Sequence, residues 1–212
     1  SVDFDTICNA ILFIGIDLFA DEDEQQIFDT INSLGVRLTT AELLKNYFFG
    51  RNDITTYKKF WLDIFEKDEE TKEYWDKEVT TGRLKRTFID LFFYSFLQIK
   101  IQDNTIEVKA EDKQAFSKVE KLFDSYKRFI KDYCGGDKHS LLKEIREYAT
   151  VFRKAINAEI IDDELPAEAG IERLNAVIFA IDTATLIPYI LFVERNIQEA
   201  SVRNDLYDYL ES

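Results

Sequence analysis

Few side chains in this sequence have the types and spacings that perform catalysis. The one histidine, His139, stands beside Ser140, and a general base there would need an orienting carboxylate and a substrate pocket. The acidic run at residues 21–24 has the oxygen ligands that Mg²⁺ or Ca²⁺ prefer, but it lacks the glycine and the spaced ligands of a calcium loop. It suits the first turn of a helix, where the dipole favours carboxylates. We therefore assign no catalytic residue and no metal site.

Basic residues gather in two places, "GRLKR" and "YKRFIK", and are candidates for phosphate contact. The six residues are Arg83, Lys85, Arg86, Lys127, Arg128 and Lys131. Alternatively, each pairs with neighbouring acidic residues on a solvated helix face. Neither of the standard glycine-rich phosphate-binding loops occurs. The formal net charge of −14 opposes DNA binding unless basic residues gather locally in the fold.

The composition indicates a mainly α fold in a cytoplasmic protein. The 212 residues include 18 Phe but only 2 Pro and 7 Gly, which suits long helices better than many tight turns. The two cysteines, Cys8 and Cys134, show no disulfide or zinc-ligand spacing. The longest apolar stretch, residues 91–97, is much too short to cross a membrane. The absence of Met and of a leader suggests an excised piece of a longer protein.

The first fifty residues predict a strand followed by two helices. The stretch "ILFIGIDL" at residues 11–18 is β-branched, aromatic and of strand length, and it is the only convincing strand. A helix that begins in the acidic run ends at Gly35, a favourable residue for a helix C-terminus. Thr39 and Glu42 have the spacing of a capping box, which starts a helix that ends at Gly50.

Helical spacing continues through the rest of the chain. Further helices are predicted at residues 53–67, 71–79 and 83–101, and the last is apolar almost all round and should be the most buried. Two long amphipathic helices joined by a Gly-containing turn should form an antiparallel hairpin. Two apolar helices break near Asp182, with Pro188 in the first turn of the second. Trp61 and Trp75 should fill seams between helices.

The stretch "IFDTINSLGVRLTTAELLKN", residues 27–46, resembles a segment of the GmrSD-type restriction endonuclease N-terminal domain family, which is related to ParB. The family segment reads approximately I-F-E-x-(L/I)-N-x-x-G-x-x-L-(S/T)-x-x-D-L-L-K-N. The positions that match it are Ile27, Phe28, Asn32, Gly35, Leu38, Thr39, Leu43, Leu44, Lys45 and Asn46. The chain has Asp29 where the family usually has Glu, and Glu42 where it usually has Asp. Leu34 and Val36 occupy positions that are often basic or polar in the family.

The resemblance implies a DNA-restriction protein that acts in bacterial or archaeal phage defence. Its parent would use a nucleoside triphosphate and a divalent cation, with nucleotide chemistry at an Asp-Gly-Gln-Gln-Arg motif that this chain lacks. A His-Asn-His-type nuclease domain, which many members carry, also cannot lie in a chain with one histidine. No cofactor is therefore expected in this fragment. The resemblance makes seven residues candidates for a family motif or ligand contact: Phe28, Asn32, Gly35, Arg37, Thr39, Lys45 and Asn46.

These arguments define one expectation and one alternative. We expect a mainly α, multi-helix bundle with one short N-terminal strand, in which residues 1–52 end a ParB-like domain and residues 53–212 form a helical domain. A soft boundary is predicted near residues 102–112. The partners would be the rest of the polypeptide, DNA through the parent, and a second copy of the chain, but no membrane. The alternative is a stand-alone helical module that binds a protein partner.

Overall fold

The computed structural model describes residues 39–50, 52–81, 84–162 and 164–211. They belong to one compact unit that begins at Thr39. The prediction of a mainly α bundle is confirmed, because ten α-helices and one two-stranded antiparallel sheet make up the described part of the chain. The strand predicted at residues 11–18 and the helix predicted to end at Gly35 lie outside the described residues.

The ten helices follow one another with short connections and with one β-hairpin after the third. They are α1 (Thr40–Phe48), α2 (Ile54–Tyr57), α3 (Glu69–Asp76), α4 (Phe88–Ile101), α5 (Ala110–Phe116), α6 (Leu122–Tyr133), α7 (His139–Ala155), α8 (Ile171–Ala180), α9 (Ile187–Asn196) and α10 (Ala200–Glu211). The hairpin strands are β1 (Glu78–Thr81) and β2 (Leu84–Thr87). A π-helix, Lys58–Glu66, continues α2, and 3₁₀ turns lie at Val119–Lys121, Glu159–Asp162 and Ala184–Leu186.

Helix α4 lies at the centre of the bundle, as its apolar sequence predicts. Phe92, Phe93, Phe96 and Leu97 have no exposed surface, because helices α1, α3, α5, α6, α7 and α9 all pack against α4. The predicted seam positions of the two tryptophans are also confirmed. Trp61 stacks on Phe93 with ring centroids 5.5 Å apart. Both tryptophan side chains are almost fully buried, so their rings close the gaps between helices.

The capping box that the sequence predicts at the start of α1 is present. The Glu42 backbone N–H donates to Thr39 Oγ1 at 3.2 Å, and the Thr39 backbone N–H donates to Glu42 Oε2 at 2.8 Å. The helix ends at Phe48 rather than at Gly50. Since α1 packs against α4 and α6, this last part of the motif segment belongs to the helical bundle.

The β-hairpin corrects the prediction of helices at residues 71–79 and 83–101. Helix α3 ends at Asp76, and α4 begins only at Phe88, because Leu84–Thr87 pairs antiparallel with Glu78–Thr81. Val79 and the threonines of these segments are β-branched residues, which favour extended backbone over helix. Thr87 then caps α4 by accepting a hydrogen bond from the Asp90 backbone N–H at 3.3 Å.

The two amphipathic helices predicted around the Gly-containing turn are α6 and α7. Gly135 and Gly136 have φ values of 60° and 80°, a left-handed conformation that residues with a Cβ rarely adopt. The Gly136 backbone N–H donates to the Ile130 carbonyl at 2.9 Å and closes the end of α6. However, α6 packs mainly on α1 and α4, whereas α7 packs mainly on α9 and the π-helix. The pair therefore covers two sides of the core rather than forming a tightly packed hairpin.

The break between the last apolar helices is also as predicted. Helix α8 ends at Ala180, and Asp182 adopts a left-handed φ of 55° that stops helical propagation. Helix α9 starts again at Ile187, with Pro188 in its first turn, where a missing N–H leaves no helical hydrogen bond unmade.

Asp90 joins the start of α1 to the start of α4 and makes the bundle sensitive to pH. Its Oδ1 is buried without a hydrogen-bond partner, and the Ala41 backbone N–H has only a minor favourable effect on the carboxylate. Burial raises the pKa of Asp90 to about 6, although the nearby Arg86 acts in the opposite direction. The fold therefore favours the protonated form. The stability that this form provides is complete below the unfolded pKa of 3.8 and is lost as the pH rises through about 6.

We expect Asp90→Asn to raise the free energy of unfolding at neutral pH by about 1–3 kcal/mol, because a neutral amide avoids burying a charge at this position. Urea denaturation at a series of pH values measures this. The variant should also lose the rise in stability that wild type shows as the pH falls through about 6. Asp68→Asn is the control: Asp68 caps α3, and its hydrogen bonds with Thr71 lower its pKa. A similar gain in that variant at neutral pH would contradict the explanation.

Candidate functional site

The motif residues fall into two groups in the structure. Phe28, Asn32, Gly35 and Arg37 lie outside the described residues. The other three, Thr39, Lys45 and Asn46, lie on or next to α1. Thr39 caps the helix with Glu42, and Asn46 is exposed beside a hollow of about 290 Å³ that Lys45 and Tyr57 also line.

Lys45 is held by a cluster of hydrogen bonds centred on Glu66, which we call the Glu66 cluster (Lys45, Tyr57, Trp61 and Glu66). Lys45 Nζ and Trp61 Nε1–H both donate to Glu66 Oε1 at 2.8 Å. The Tyr57 hydroxyl donates to Glu66 Oε2, also at 2.8 Å. Each carboxylate oxygen thus accepts at least one hydrogen bond. Lys45, which belongs to the family motif, is thereby connected directly to the helical bundle.

The π-helix brings the members of the Glu66 cluster to one side. Trp61 and Glu66 are five residues apart, and hydrogen bonds in a π-helix also join residues five apart. The two side chains therefore lie next to each other on successive turns. Trp61 and Phe65 face the core, where Phe65 also contacts Trp75 with ring centroids 4.9 Å apart. The same segment therefore supplies both core rings and the carboxylate that holds Lys45.

The electrostatics of the Glu66 cluster favour its charged form. Burial by itself would raise the pKa of Glu66, but the hydrogen bonds from Lys45, Tyr57 and Trp61 outweigh it and lower the pKa below its usual value. Burial and the hydrogen bond to Glu66 raise the pKa of Tyr57 to about 12, so the phenol stays a neutral donor. The Glu66 cluster is therefore a hydrogen-bonded ion pair, and Glu66 and Tyr57 do not act as an acid or a base near neutral pH.

The first set of basic candidates lies on the β-hairpin and the residues around it. Arg83 is outside the described residues. Lys85 is exposed and lies 3.9 Å from Glu78 across the two strands. Arg86 is half-buried, and its charge acts on the carboxylate of Asp90.

The second set of basic candidates lies on α6 and lines a shallow hollow of about 620 Å³. Lys127 pairs with Asp124 at 3.7 Å, and Arg128 pairs with the buried Asp112. Lys131 is exposed in the same hollow. Each set thus has carboxylates among its neighbours, and no described cavity includes residues of both sets. Phosphate contact by these residues stays a prediction.

A cleft of about 730 Å³ is the largest described cavity, and sequence reasoning missed it. It lies between the end of α4, the loop that follows it, one side of α7, and α9. Its lining residues are Gln98, Ile99, Lys100, Gln102, Asp103, Asn104, Glu144, Glu147, Tyr148, Pro188, Tyr189, Phe192, Arg195 and Asn196. These come from three distant stretches of the sequence, so spacing within one stretch gives no signal for the cleft.

The floor of the cleft carries three ion pairs. Only 9% of the Lys100 side chain is exposed, and its Nζ lies 3.0 Å from Asp103 and 3.1 Å from Glu144. Burial would lower the pKa of Lys100, but these two carboxylates outweigh it and raise the pKa above its usual value. On the α9 side, Arg195 pairs with Glu147, and its guanidinium lies 5.9 Å from the ring centroid of Tyr148.

The outer wall of the cleft is aromatic and accessible. Tyr189 and Phe192 on α9 are 39% and 48% exposed, which is unusual for large rings next to a cavity. Paired charges at the floor and exposed rings at the rim favour binding of a ligand that has both polar and apolar parts. They do not form the nucleophile and base arrangement that covalent catalysis requires.

His139 and the acidic residues do not assemble a chemical centre in the described part of the chain. His139 is exposed at the start of α7, where its backbone N–H donates to Asp137 Oδ1 at 3.0 Å. Within residues 39–50, 52–81, 84–162 and 164–211, no group of three or more His, Cys, Asp or Glu residues is placed to hold a metal ion. These residues do not fit a divalent cation, and we assign no step to one.

Comparison with known proteins adds no relative to these observations. Neither a protein-family model, nor a curated protein, nor a solved structure matches the chain. Among the described residues, no helix is both long enough and apolar enough to cross a membrane.

The coupling between Lys45 and Glu66 is measurable with a double-mutant cycle of Lys45→Met and Glu66→Gln. The two side chains are only 30% and 26% exposed, so we expect a coupling free energy of about 1–2 kcal/mol in urea denaturation. The control is a parallel cycle on Lys72 and Glu69, an exposed pair 3.7 Å apart. Its coupling should stay below about 0.5 kcal/mol. Equal coupling in the two cycles would show that Lys45 is not specially anchored.

Proposed function

We propose that the chain is the helical scaffold part of a GmrSD-like, nucleotide-dependent DNA-restriction protein, and that it works in the cytoplasm of a bacterium or archaeon. The observation that carries this proposal is the Glu66 cluster. Lys45 and Thr39 are motif residues, and both have structural partners: Glu66 in the helical bundle and Glu42 at the start of α1. The end of the motif segment therefore serves as an attachment to the bundle.

A scaffold of this kind would hold the catalytic parts of its parent at fixed positions. The nucleotide and the divalent cation would bind elsewhere in the parent, at the Asp-Gly-Gln-Gln-Arg motif that the family resemblance implies. Contact with DNA would also be made through the parent, and subunit contacts between two copies would place two nuclease parts together. The aromatic core supports this role, since rings such as Trp61 and Phe93 are almost fully buried and stack on each other.

We expect the purified 212-residue chain to show neither nuclease nor nucleoside triphosphatase turnover above a buffer control. The assays are plasmid cleavage and phosphate release with Mg²⁺ and with each of the common nucleoside triphosphates. Robust turnover that purifies with the chain and is lost on its denaturation would contradict the scaffold proposal. Sequencing the coding region upstream tests the family assignment separately, because the proposal expects an Asp-Gly-Gln-Gln-Arg segment there.

The cleft favours the alternative, a helical module that binds a protein partner. Tyr189 and Phe192 lie one helical turn apart on α9 and present two rings beside the charged floor. Aromatic residues at the edge of a pocket often provide much of the binding energy in protein interfaces. The simplest partner of this kind is a second copy of the same chain.

If two copies associate through this face, sedimentation should show a concentration-dependent dimer that Phe192→Ser weakens by about tenfold or more, because the ring loses its buried area. Ile54→Ser is the matched control, because Ile54 is also an exposed apolar residue, at 60%, but lies at the start of α2 and does not line the cleft. A monomer at all concentrations, or equal weakening by both variants, would exclude association through α9.

A further inference from the structure

A groove of about 510 Å³ runs between the π-helix and α7, on the face of α7 next to the one that lines the cleft. We call it the basic groove. Its lining residues are Lys59, Phe60, Lys143, Arg146, Glu147 and Thr150. None of its three basic residues is among the six candidates for phosphate contact that the sequence indicates. The groove combines segments about eighty residues apart, so it exists only in the folded chain.

The turn of α7 explains why its basic residues line one groove. Lys143, Arg146 and Thr150 follow at intervals of three and four residues, so they share one face of the helix. The buried residues Leu142, Ile145 and Ala149 lie toward the other face. A step of three residues advances about 4.5 Å along a helix axis, so the Cα atoms of Lys143 and Arg146 are separated by less than one turn along that axis.

The three cations of the basic groove are not neutralised within the described structure. Lys59, Lys143 and Arg146 are exposed, and no carboxylate of the described residues lies within ion-pairing distance of them. Glu147 is the one carboxylate in the lining, and it pairs with Arg195 on the cleft side. The Lys59 ammonium lies 4.9 Å from the ring centroid of Phe60. Like charges gathered in this way repel one another, and a bound anion would relieve that repulsion.

The acidity of the whole chain does not cancel this local charge. Exposed charges farther away than about 10 Å are largely screened at about 0.1 M salt. The net charge of −14 therefore lowers the general affinity for anions, while a concave site with three unpaired cations keeps a local attraction.

We propose that the basic groove binds a ligand through its phosphate groups. A phosphate monoester or diphosphate carries more than one negative charge on closely spaced oxygens, which matches three cations better than a single carboxylate does. The guanidinium of Arg146 offers two parallel N–H groups to such oxygens, and the two lysines add point charges. The half-buried ring of Phe60 gives the groove an apolar wall against which a base or sugar packs. This proposal does not depend on the proposed restriction function.

The test measures binding of two phosphate probes to the 212-residue chain and to the double variant Lys143→Glu, Arg146→Glu. The probes are pyrophosphate, followed by calorimetry, and a fluorescent single-stranded DNA of about 12 nucleotides, followed by anisotropy. The matched control is Lys118→Glu, Lys121→Glu, which changes the charge equally at two exposed lysines outside the groove. Thermal unfolding monitored by circular dichroism checks that each variant is folded.

We expect at least one probe to bind wild type and the control, and its affinity to fall by about tenfold or more in the groove variant. If DNA is the source of the phosphate, the logarithm of the association constant should fall with the logarithm of the salt concentration with a slope of about −2 for three contacts. Binding of pyrophosphate alone would identify a small phosphorylated ligand instead. The proposal is overturned if neither probe binds at about 50 mM salt, or if the control loses as much affinity as the groove variant.

Discussion

An α-helix that is apolar on every side cannot exist in water unless other elements cover all of it, and α4 imposes this constraint on the bundle. Burying one Phe side chain contributes about 2 kcal/mol, and Phe92, Phe93 and Phe96 are all without exposed surface. Six other helices pack on α4, and the β-hairpin ends at the residue before its first turn.

Covering α4 with aromatic residues creates a second requirement, because tyrosine hydroxyls that enter the core need hydrogen-bond partners. Tyr126 is fully buried and donates to the Phe93 carbonyl at 2.7 Å. Tyr74 donates to the Ile156 carbonyl at 2.9 Å, and Tyr207 donates to Glu194 at 2.6 Å. Burial raises the pKa of all three, so they remain neutral donors. Each of these hydrogen bonds joins two different segments of the chain. The bonds therefore fix how those segments are positioned against each other, which apolar packing alone does not.

The sequence predicts those features whose cause lies within a few residues. The capping box of Thr39 and Glu42, the break at Asp182 and the burial of α4 all follow from local spacing, and all three are present. The β-hairpin was missed because its short strands adjoin strongly helical segments, and pairing between Glu78 and Thr87 is a contact that periodicity does not reveal. The π-helix was missed for a related reason, since its sequence satisfies the ordinary helical period equally well.

The candidate sites were less predictable than the fold, because they depend on which side of a helix each neighbour covers. Lys45 lies within the motif segment, but its partner Glu66 lies in another element and carries no signal in the motif. The cleft and the basic groove each join residues from α7 to residues of distant segments. The six basic candidates stand close together in the sequence, whereas Lys59 of the groove lies about eighty residues before Lys143 and Arg146.

Helix α7 shows how one amphipathic helix separates charge as well as polarity. Successive residues of a helix are about 100° apart around its axis. Going around the solvent-facing side of α7, one therefore meets first Arg146 and Lys143 and then Glu147 and Glu144. The basic edge faces the π-helix, and the acidic edge faces α4 and α9, where Glu144 meets Lys100 and Glu147 meets Arg195. Because the acidic residues have cationic partners on their own side, they are not available to neutralise the basic edge. The ion pairs in the cleft therefore leave the basic groove beside it with its positive charge.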